Sequence, residues 1–139
     1  MNQSKFGKGT KFWYPELSNI GKAVFGKDCI IHSNVWVADR VKVGDRCRIQ
    51  AFCFLPEGVR LGDDVFLGPG VVFTNDKHPP STEWEVTIVE DFVSIGANVT
   101  ILPGLTLRKG CKIGAGSVVT KNIPPNETWV GNPARKLTD

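Results

Sequence analysis

Large apolar residues recur at every sixth position through most of this 139-residue chain. The first run has no miss: Phe25, Ile31, Val37, Val43, Ile49, Leu55, Leu61, Leu67, Phe73. A second register, two residues before each of these, holds smaller apolar residues: Ala23, Cys29, Val35, Val41, Cys47, Cys53, Val59, Val65, Val71. A helix repeats after about 3.6 residues and a plain strand after about 2, so neither explains the pattern.

The period stops after Phe73 and resumes at Val89, with an inserted loop at about residues 75–86. The second run is Val89, Ile95, Ile101, Leu107, Ile113, Val119. The residues two positions before them are Thr87, Val93, Val99, Leu105, Cys111, Ser117.

A six-residue unit can hold a short strand and a corner. Residues two apart on a strand point to the same face, so both registers face one interior. The corner positions carry residues that tolerate positive φ: Asp28, Asn34, Gly58, Asp64, Gly70, Asn98, Gly104, Gly110, Gly116. Three units close a triangular coil, and coils stack roughly 4.8 Å apart through parallel hydrogen bonds. The sequence therefore predicts an all-β fold, a parallel β-helix of about five coils.

We expect a single domain, residues 1–139, in five parts: an N-terminal cap (1–19), a first coil array (20–74), the inserted loop (75–86), a second coil array (87–121) and a tail (122–139). The cap is irregular and aromatic, and should form a partial first coil. Pro124, Pro125 and Pro133 predict an extended tail over the last coil. So few coils enclose little core, which predicts an oligomer.

Composition argues against several classes of function. The net charge is +3 without a block of like charge, so we expect no nucleic-acid partner. No apolar run approaches the ~20 residues of a membrane span, and residues 1–9 lack a signal-peptide core, so we expect a cytoplasmic protein without a membrane partner. All four cysteines fall in the smaller inward register and are expected to act as buried apolar residues. A disulfide between Cys29 and Cys47 is the other interpretation.

Two C-terminal motifs carry a family resemblance: Ile113-Gly114-Ala115-Gly116-Ser117-Val118-Val119-Thr120-Lys121 and Gly131-Asn132-Pro133-Ala134-Arg135. Together with the repeat, they resemble the acetyltransferase branch of the hexapeptide-repeat acyltransferase superfamily. The resemblance implies a left-handed β-helix, acetyl-CoA as co-substrate, and a homotrimer with sites between subunits.

The predicted cofactor-binding residues are small corner residues and nearby cations: Gly96, Ala97, Gly114, Ala115, Lys121, Arg135, Lys136. The small residues leave a corner without side-chain bulk, where a pantetheine arm can lie. The cations can bind the CoA phosphates. Alternatively, the small residues only permit the turn.

The inserted loop resembles two groups of acetyltransferases. Its opening, Thr74-Asn75-Asp76, resembles the loop of N-acetyltransferases that act on nucleotide-linked amino sugars. His78-Pro79 matches a pair in galactoside and maltose acetyltransferases, whose histidine is the general base. Long loops that interrupt a regular array are usually functional.

Asp39, Glu57 and Asn75 are each 18 residues apart and should share one corner on successive coils. With Asp76, these groups can hold a protonated amine through charge-assisted hydrogen bonds and place it against a thioester. The resembling amino-sugar enzymes have an acidic residue where Glu57 stands. Asp39 is equally explained as solvated surface.

These residues predict transfer of an acetyl group to the amine of a dTDP- or UDP-linked amino sugar. His78, with an ordinary pKa of about 6.5, can accept the amine's proton. Alternatively the departing CoA thiolate accepts it, with Glu57, Asn75 and Asp76 positioning the amine. Trp84, Asp39 and His32 complete the predicted substrate site. Trp84 can instead pack the loop, and His32 can be a plain corner residue.

Three rival interpretations share the fold. An O-acetyltransferase for a galactoside, maltose or polysaccharide needs the base His78 and makes Glu57 superfluous. A zinc enzyme of the carbonic-anhydrase type needs three histidines, and this chain has two, so we expect no metal. A non-catalytic scaffold leaves the loop and tail motifs unexplained. The sequence does not fix the sugar, the nucleotide, or whether the product enters lipopolysaccharide or another glycan.

Overall fold

The computed structural model describes residues 3–138, in which short strands form three sheets. Sheet 1 holds β1 (Lys5–Phe6), β4 (Val24–Phe25), β7 (Lys42–Val43), β10 (Arg60–Leu61), β13 (Ile88–Val89) and β16 (Thr106–Leu107). Sheet 2 holds β2 (Lys11–Phe12), β5 (Ile30–Ile31), β8 (Arg48–Ile49), β11 (Phe66–Leu67), β14 (Ser94–Ile95), β17 (Lys112–Ile113), β19 (Thr128–Gly131) and β20 (Ala134–Lys136). Sheet 3 holds β3 (Asn19–Ile20), β6 (Trp36–Val37), β9 (Phe54–Leu55), β12 (Val72–Phe73), β15 (Thr100–Ile101) and β18 (Val118–Val119). A 3-10 turn, Pro15–Leu17, precedes β3.

Each coil adds one strand to every sheet. From β1 to β18 the neighbouring strands are parallel; Arg60 of β10, for example, lies between Lys42 of β7 and Ile88 of β13. Residues at one corner therefore lie over the equivalent residues of the next coil. We name the corners by the sheets that they join in chain order: the 1–2, 2–3 and 3–1 corners.

Both apolar registers of the repeat point into the interior. From Phe25 to Phe73 the larger register is at most 4% exposed, and from Val89 to Val119 at most 3%. Burial of such side chains contributes about 1.5–3 kcal/mol each, which makes this column the main source of stability. The predicted all-β fold, a parallel β-helix, is confirmed.

Positive φ angles at the corners turn the chain between sheets. All nine predicted corner residues adopt them, with φ between 56° and 87°. Arg40, Arg46, Phe52 and Phe92 do so too, with φ between 56° and 67°. Residue type did not reveal these four, since a side chain in this conformation costs roughly 1–2 kcal/mol. The stacked coils stabilise the corner; the Arg46 N–H, for example, donates to the Lys27 carbonyl at 2.8 Å.

Six coils are complete, one more than the predicted number, because residues 5–20 also wind a three-stranded coil. The Phe6 ring stacks on Phe25 of the next coil, with centroids 5.2 Å apart. At the other end, β19 pairs parallel to β17 and β20 returns antiparallel to β19, so the tail forms a hairpin. The inserted loop lies between β12 and β13.

All four cysteines are buried and free, so the disulfide interpretation is wrong. Residues 3–138 contain no helix with the length and apolar character needed to cross a membrane.

Candidate functional site

A cleft of about 280 Å³ lies at the 3–1 corner, where the inserted loop leaves the coils. We call it the corner cleft, and its lining residues are Ala38, Asp39, Phe54, Pro56, Glu57, Asn75, Trp84. The structure thus brings together four of the predicted site residues: Asp39, Glu57, Asn75, Trp84. The first three share a corner because each follows a strand of sheet 3 by two residues.

Glu57 provides the more enclosed of the two carboxylates in the corner cleft. Its side chain is 22% exposed and pairs with the guanidinium of Arg40, whose side chain is 75% exposed. A positively charged group therefore already lies at this carboxylate, in a place that an ammonium ion could take by exchange.

Asp39 combines a structural contact with its place in the cleft. Its Oδ1 accepts the backbone N–H of Lys22 at 2.8 Å and so joins two coils. Equivalent bonds run up the 1–2 corner, where Asp45, Asp63 and Asp91 each accept a backbone N–H from the preceding coil. Part of the role of Asp39 is therefore coil stacking.

Asp76 organises the inserted loop and does not line the corner cleft. Its carboxylate accepts the Ser81 N–H at 2.7 Å and the Ser81 hydroxyl at 2.6 Å, and the His78 N–H at 3.3 Å. The Ser81 hydroxyl is the main reason that the pKa of Asp76 lies below its usual value. Asp76 also forms an antiparallel bridge with Trp84, so it holds the base of the loop closed.

Trp84 lines both the corner cleft and a second cavity of about 300 Å³, which we call the loop cavity. Its indole N–H donates to the Ser81 carbonyl at 3.0 Å. His78 lines the loop cavity and not the corner cleft. Within one chain, the predicted base and the predicted amine-binding carboxylate therefore face different spaces.

His32 lies away from both spaces. It follows β5 at the 2–3 corner, and its backbone N–H donates to the Ile49 carbonyl at 2.9 Å. Within the single chain it is a corner residue.

The predicted cofactor residues fall into two groups, one at the 2–3 corner and the end of sheet 2, and the other at the 3–1 corner. Gly96 and Ala97 follow β14, and Gly114 and Ala115 follow β17, so all four stack at the 2–3 corner. A Cβ on Gly96 would lie 2.6 Å from the Ala115 nitrogen, and one on Gly114 would collide with Val130. Coil stacking therefore requires the glycines, and the smooth surface open to a ligand comes from the two alanines.

The three predicted cofactor-binding cations also divide between the end of sheet 2 and the 3–1 corner. Arg135 and Lys136 lie on β20 at the end of sheet 2, with Lys136 paired to Glu127 at 3.5 Å. Lys121 follows β18 and stands at the 3–1 corner instead. One chain alone does not gather all the predicted cofactor residues.

Sequence reasoning missed part of the corner cleft. Ala38 and Pro56 stand one residue before Asp39 and Glu57, and the same 18-residue spacing pairs them. The residue type of Arg40 gave no such signal, although Arg40 falls in the six-residue corner register between Asn34 and Gly58, where positive φ recurs. Its pairing with Glu57 does not follow from the repeat.

Comparisons with known proteins agree with the fold. The family model described as bacterial transferase hexapeptide (six repeats) matches residues 40–75 and 87–121. A Schizosaccharomyces pombe protein that carries an acetyltransferase name is 41% identical over 87 residues, which cover 57% of this chain and 42% of that protein. The galactoside O-acetyltransferase of Escherichia coli is 38% identical over 90 residues, which cover 58% of this chain and 44% of that protein. The chain thus spans less than half the length of both relatives.

Among solved structures, a hexapeptide-repeat-containing acetyltransferase from Vibrio cholerae is similar. It superposes with a TM-score of 0.69 at 26% identity, over 89% of this chain and 75% of that one.

Proposed function

Because the chain belongs to the bacterial transferase hexapeptide family, we propose that it transfers an acetyl group from acetyl-CoA to the amine of a dTDP- or UDP-linked amino sugar. The corner cleft carries this proposal, since it combines two carboxylates, Asp39 and Glu57, with the amide of Asn75 and the indole of Trp84. Carboxylates favour an ammonium group over a hydroxyl through charge-assisted hydrogen bonds. The indole offers a flat face to a sugar or a base.

Glu57 is the residue that binds the amine in this mechanism. Its carboxylate exchanges Arg40 for the ammonium group, and the Asn75 amide fixes the orientation of the amine. Orientation of this kind can supply much of the rate in a direct transfer. The bound ammonium group first releases one proton to solvent, since only the neutral amine has an electron pair that can attack the thioester carbonyl. The new N–C bond forms as the C–S bond breaks, and a second proton of the nitrogen passes to the departing CoA thiolate, because His78 faces the loop cavity.

The residues at the 2–3 corner fit an acetyl-CoA molecule. Ala97 and Ala115 present little side-chain bulk. Arg135 lies on β20, in the same sheet as the strands that precede these alanines, and forms no ion pair among residues 3–138. Arg135, Lys136 and Lys121 would hold the phosphates. When bound, acetyl-CoA supplies the thioester carbonyl that the amine attacks.

A homotrimer with sites between subunits is part of the proposal. The outward residues of sheet 3 include Trp36, Phe54, Val72 and Val118, an apolar face in a chain that is otherwise rich in surface charge. Trp36 is 48% exposed, and its ring centroid lies 6.3 Å from that of Phe54. Burial of this face against a second subunit would bring that subunit to the edge of the corner cleft, which Phe54 also lines. Neighbouring chains could then combine the two groups of cofactor residues.

An O-acetyltransferase is the second candidate, favoured by the His78-Pro79 pair and by the similarity to the galactoside enzyme. A hydroxyl acceptor needs a strong base beside it. Within one chain His78 lines the loop cavity and Glu57 lines the corner cleft, which supports the amine acceptor instead.

The test is CoA release, measured with a thiol reagent, on a panel of acceptors. The panel pairs dTDP- and UDP-linked 3-amino and 4-amino sugars with simple galactosides and maltose. Turnover on a nucleotide-linked amino sugar, with an amide in the product by NMR, is the expected result. Turnover on plain sugars alone, with an ester in the product, would make the protein an O-acetyltransferase.

A further inference from the structure

The outer surface at sheet 1 and the 3–1 corner contains a groove of about 620 Å³. Four cations line this basic groove, Lys22, Arg40, Lys42 and Arg60, together with one carboxylate, Asp39. The net charge of the whole chain is only +3, so the groove concentrates positive charge in one place.

The backbone register places like charges side by side in the basic groove. Lys42 and Arg60 are directly opposite on neighbouring parallel strands, and such strands lie about 4.8 Å apart. Like charges in this arrangement repel each other. Over residues 3–138, Lys22, Lys42 and Arg60 form no ion pair, whereas Arg46 and Arg108 at the 1–2 corner pair with Asp64 and Glu90. The groove therefore has positive charge available for an anion.

The basic groove continues into the corner cleft. Asp39 lines both. Arg40 lines the groove and pairs with Glu57 in the cleft. A ligand that extends from one to the other would have its cationic end at Glu57 and its anionic end among the lysines and arginines.

We propose that the basic groove binds the diphosphate of the nucleotide carrier while the amine of the sugar lies in the corner cleft. This assignment rests on the proposed function. Phosphate oxygens accept charge-assisted hydrogen bonds from lysine and from the two-pronged guanidinium of arginine. The diphosphate also relieves the repulsion between Lys42 and Arg60, and it gives Arg40 a new partner when the amine takes Glu57.

Coenzyme A also carries a diphosphate, so the experiment must distinguish the two sources. Calorimetric titration of the full chain would use UDP, dTDP and coenzyme A separately, with Lys42→Gln/Arg60→Gln as the test variant. The matched control is Arg48→Gln, since Arg48 lies on β8 of the same coil as Lys42, points outward from sheet 2 and forms no ion pair in residues 3–138.

The double variant should bind UDP or dTDP about tenfold or more weakly, the loss expected for a hydrogen bond to a charged group. Its affinity for coenzyme A should not change, and Arg48→Gln should bind all three ligands like the wild type. Weaker binding of coenzyme A alone would assign the groove to the acetyl donor and overturn the proposal. Unchanged binding of all three ligands, or no nucleotide binding by the wild type, would also overturn it.

Kinetics separate a failure of this inference from a failure of the proposed function. If the wild type acetylates a nucleotide-linked amino sugar, the double variant should show a raised KM with kcat retained. Turnover with an unchanged KM in the variant would overturn the assignment of the diphosphate to the groove and leave the proposed function intact. Nucleotide binding that depends on Lys42 and Arg60, without turnover of any amine, would support the groove and reject the proposed function.

Discussion

In the proposed function, Glu57 is the residue whose charge selects the group that the corner cleft accepts. Its carboxylate is mostly enclosed, and its partner Arg40 is mostly exposed. An exposed ion pair of this kind contributes little stability, typically about 0–1 kcal/mol, so exchange of the arginine for a substrate ammonium costs little. The structure therefore offers a carboxylate that is held in place by the coil yet available to a ligand.

His78 is the residue that distinguishes the two possible routes for the proton. We expect His78→Ala to keep at least about a third of the wild-type kcat on the amino sugar, because loss of a true general base costs roughly 100-fold or more. The pH dependence of kcat should also be unchanged. The measurement is steady-state CoA release as a function of pH.

His32→Ala is the control, since these are the two histidines of the chain and His32 lies at a different corner. A loss of about 100-fold in His78→Ala alone would identify His78 as the base. The neighbouring subunit would then have to bring it to the acceptor.

At this scale the sequence predicted stacking better than it predicted contacts. The spacing of 18 residues placed Asp39, Glu57 and Asn75 at one corner, and the corner cleft contains all three. It could not place Asp76 or His78, whose positions depend on hydrogen bonds inside an irregular loop. It also could not reveal Arg40, because a long side chain at a corner can point in several directions.

Among the elements, the inserted loop depends on a single carboxylate. Asp76 binds both the N–H and the hydroxyl of Ser81, and the Glu85 N–H donates to the Asn75 carbonyl at 2.8 Å. These contacts close the loop at its base and hold Trp84 between the two cavities.

The loop should therefore lose order when Asp76 is protonated or removed. The pKa of Asp76 is lowered in the folded chain by the Ser81 hydroxyl, so its stabilisation is complete above the ordinary value of about 3.9. It is lost as the pH falls through the lowered pKa. The protection factor of the Ser81 amide, measured by NMR hydrogen exchange, should fall below that pH by about tenfold.

In Asp76→Ala this protection should be low at every pH. Glu83→Ala is the control, since Glu83 lies in the same loop and its carboxylate forms no hydrogen bond or ion pair among residues 3–138. Equal protection in wild type and Asp76→Ala would show that other contacts order the loop.

The elements of the coil were predictable because one hexad fixes one strand and one corner. The exception is the first coil, because its inward residues Phe6, Phe12 and Ile20, followed by Phe25 of the next coil, are spaced 6, 8 and 5 residues apart. The eight-residue spacing, from Phe12 to Ile20, accommodates the 3-10 turn at Pro15–Leu17, and the five-residue spacing follows that turn. A test for a strict period therefore fails there although three strands form.

For the whole molecule, the apolar outer face of sheet 3 is the main evidence for assembly. Trp36 and Phe54 are exposed on this face and Val72 and Val118 are half-buried, and exposed apolar surface of this kind is typical of an interface. We expect light scattering after size exclusion to give three times the 15.2 kDa mass of the chain.

Two phenylalanines of equal exposure test which face is buried. Phe54 on sheet 3 is 37% exposed and Phe66 on sheet 2 is 38% exposed. Phe54→Lys should yield the mass of one chain, since it would bury an unpaired charge in the interface, and Phe66→Lys should not change the mass. A trimer that survives Phe54→Lys and dissociates in Phe66→Lys would place the interface on sheet 2.

The central claim is that Glu57 holds the amine that accepts the acetyl group, and one kinetic comparison tests it most directly. Glu57→Gln is measured for kcat/KM on the nucleotide-linked amino sugar beside Glu90→Gln, a carboxylate that is also paired with an arginine at a corner but lies outside the corner cleft. We predict a loss of about 100-fold in Glu57→Gln, as expected for a charged contact of roughly 2.7 kcal/mol in the transition state, and wild-type turnover in Glu90→Gln. Turnover within about twofold of wild type in Glu57→Gln would contradict the account.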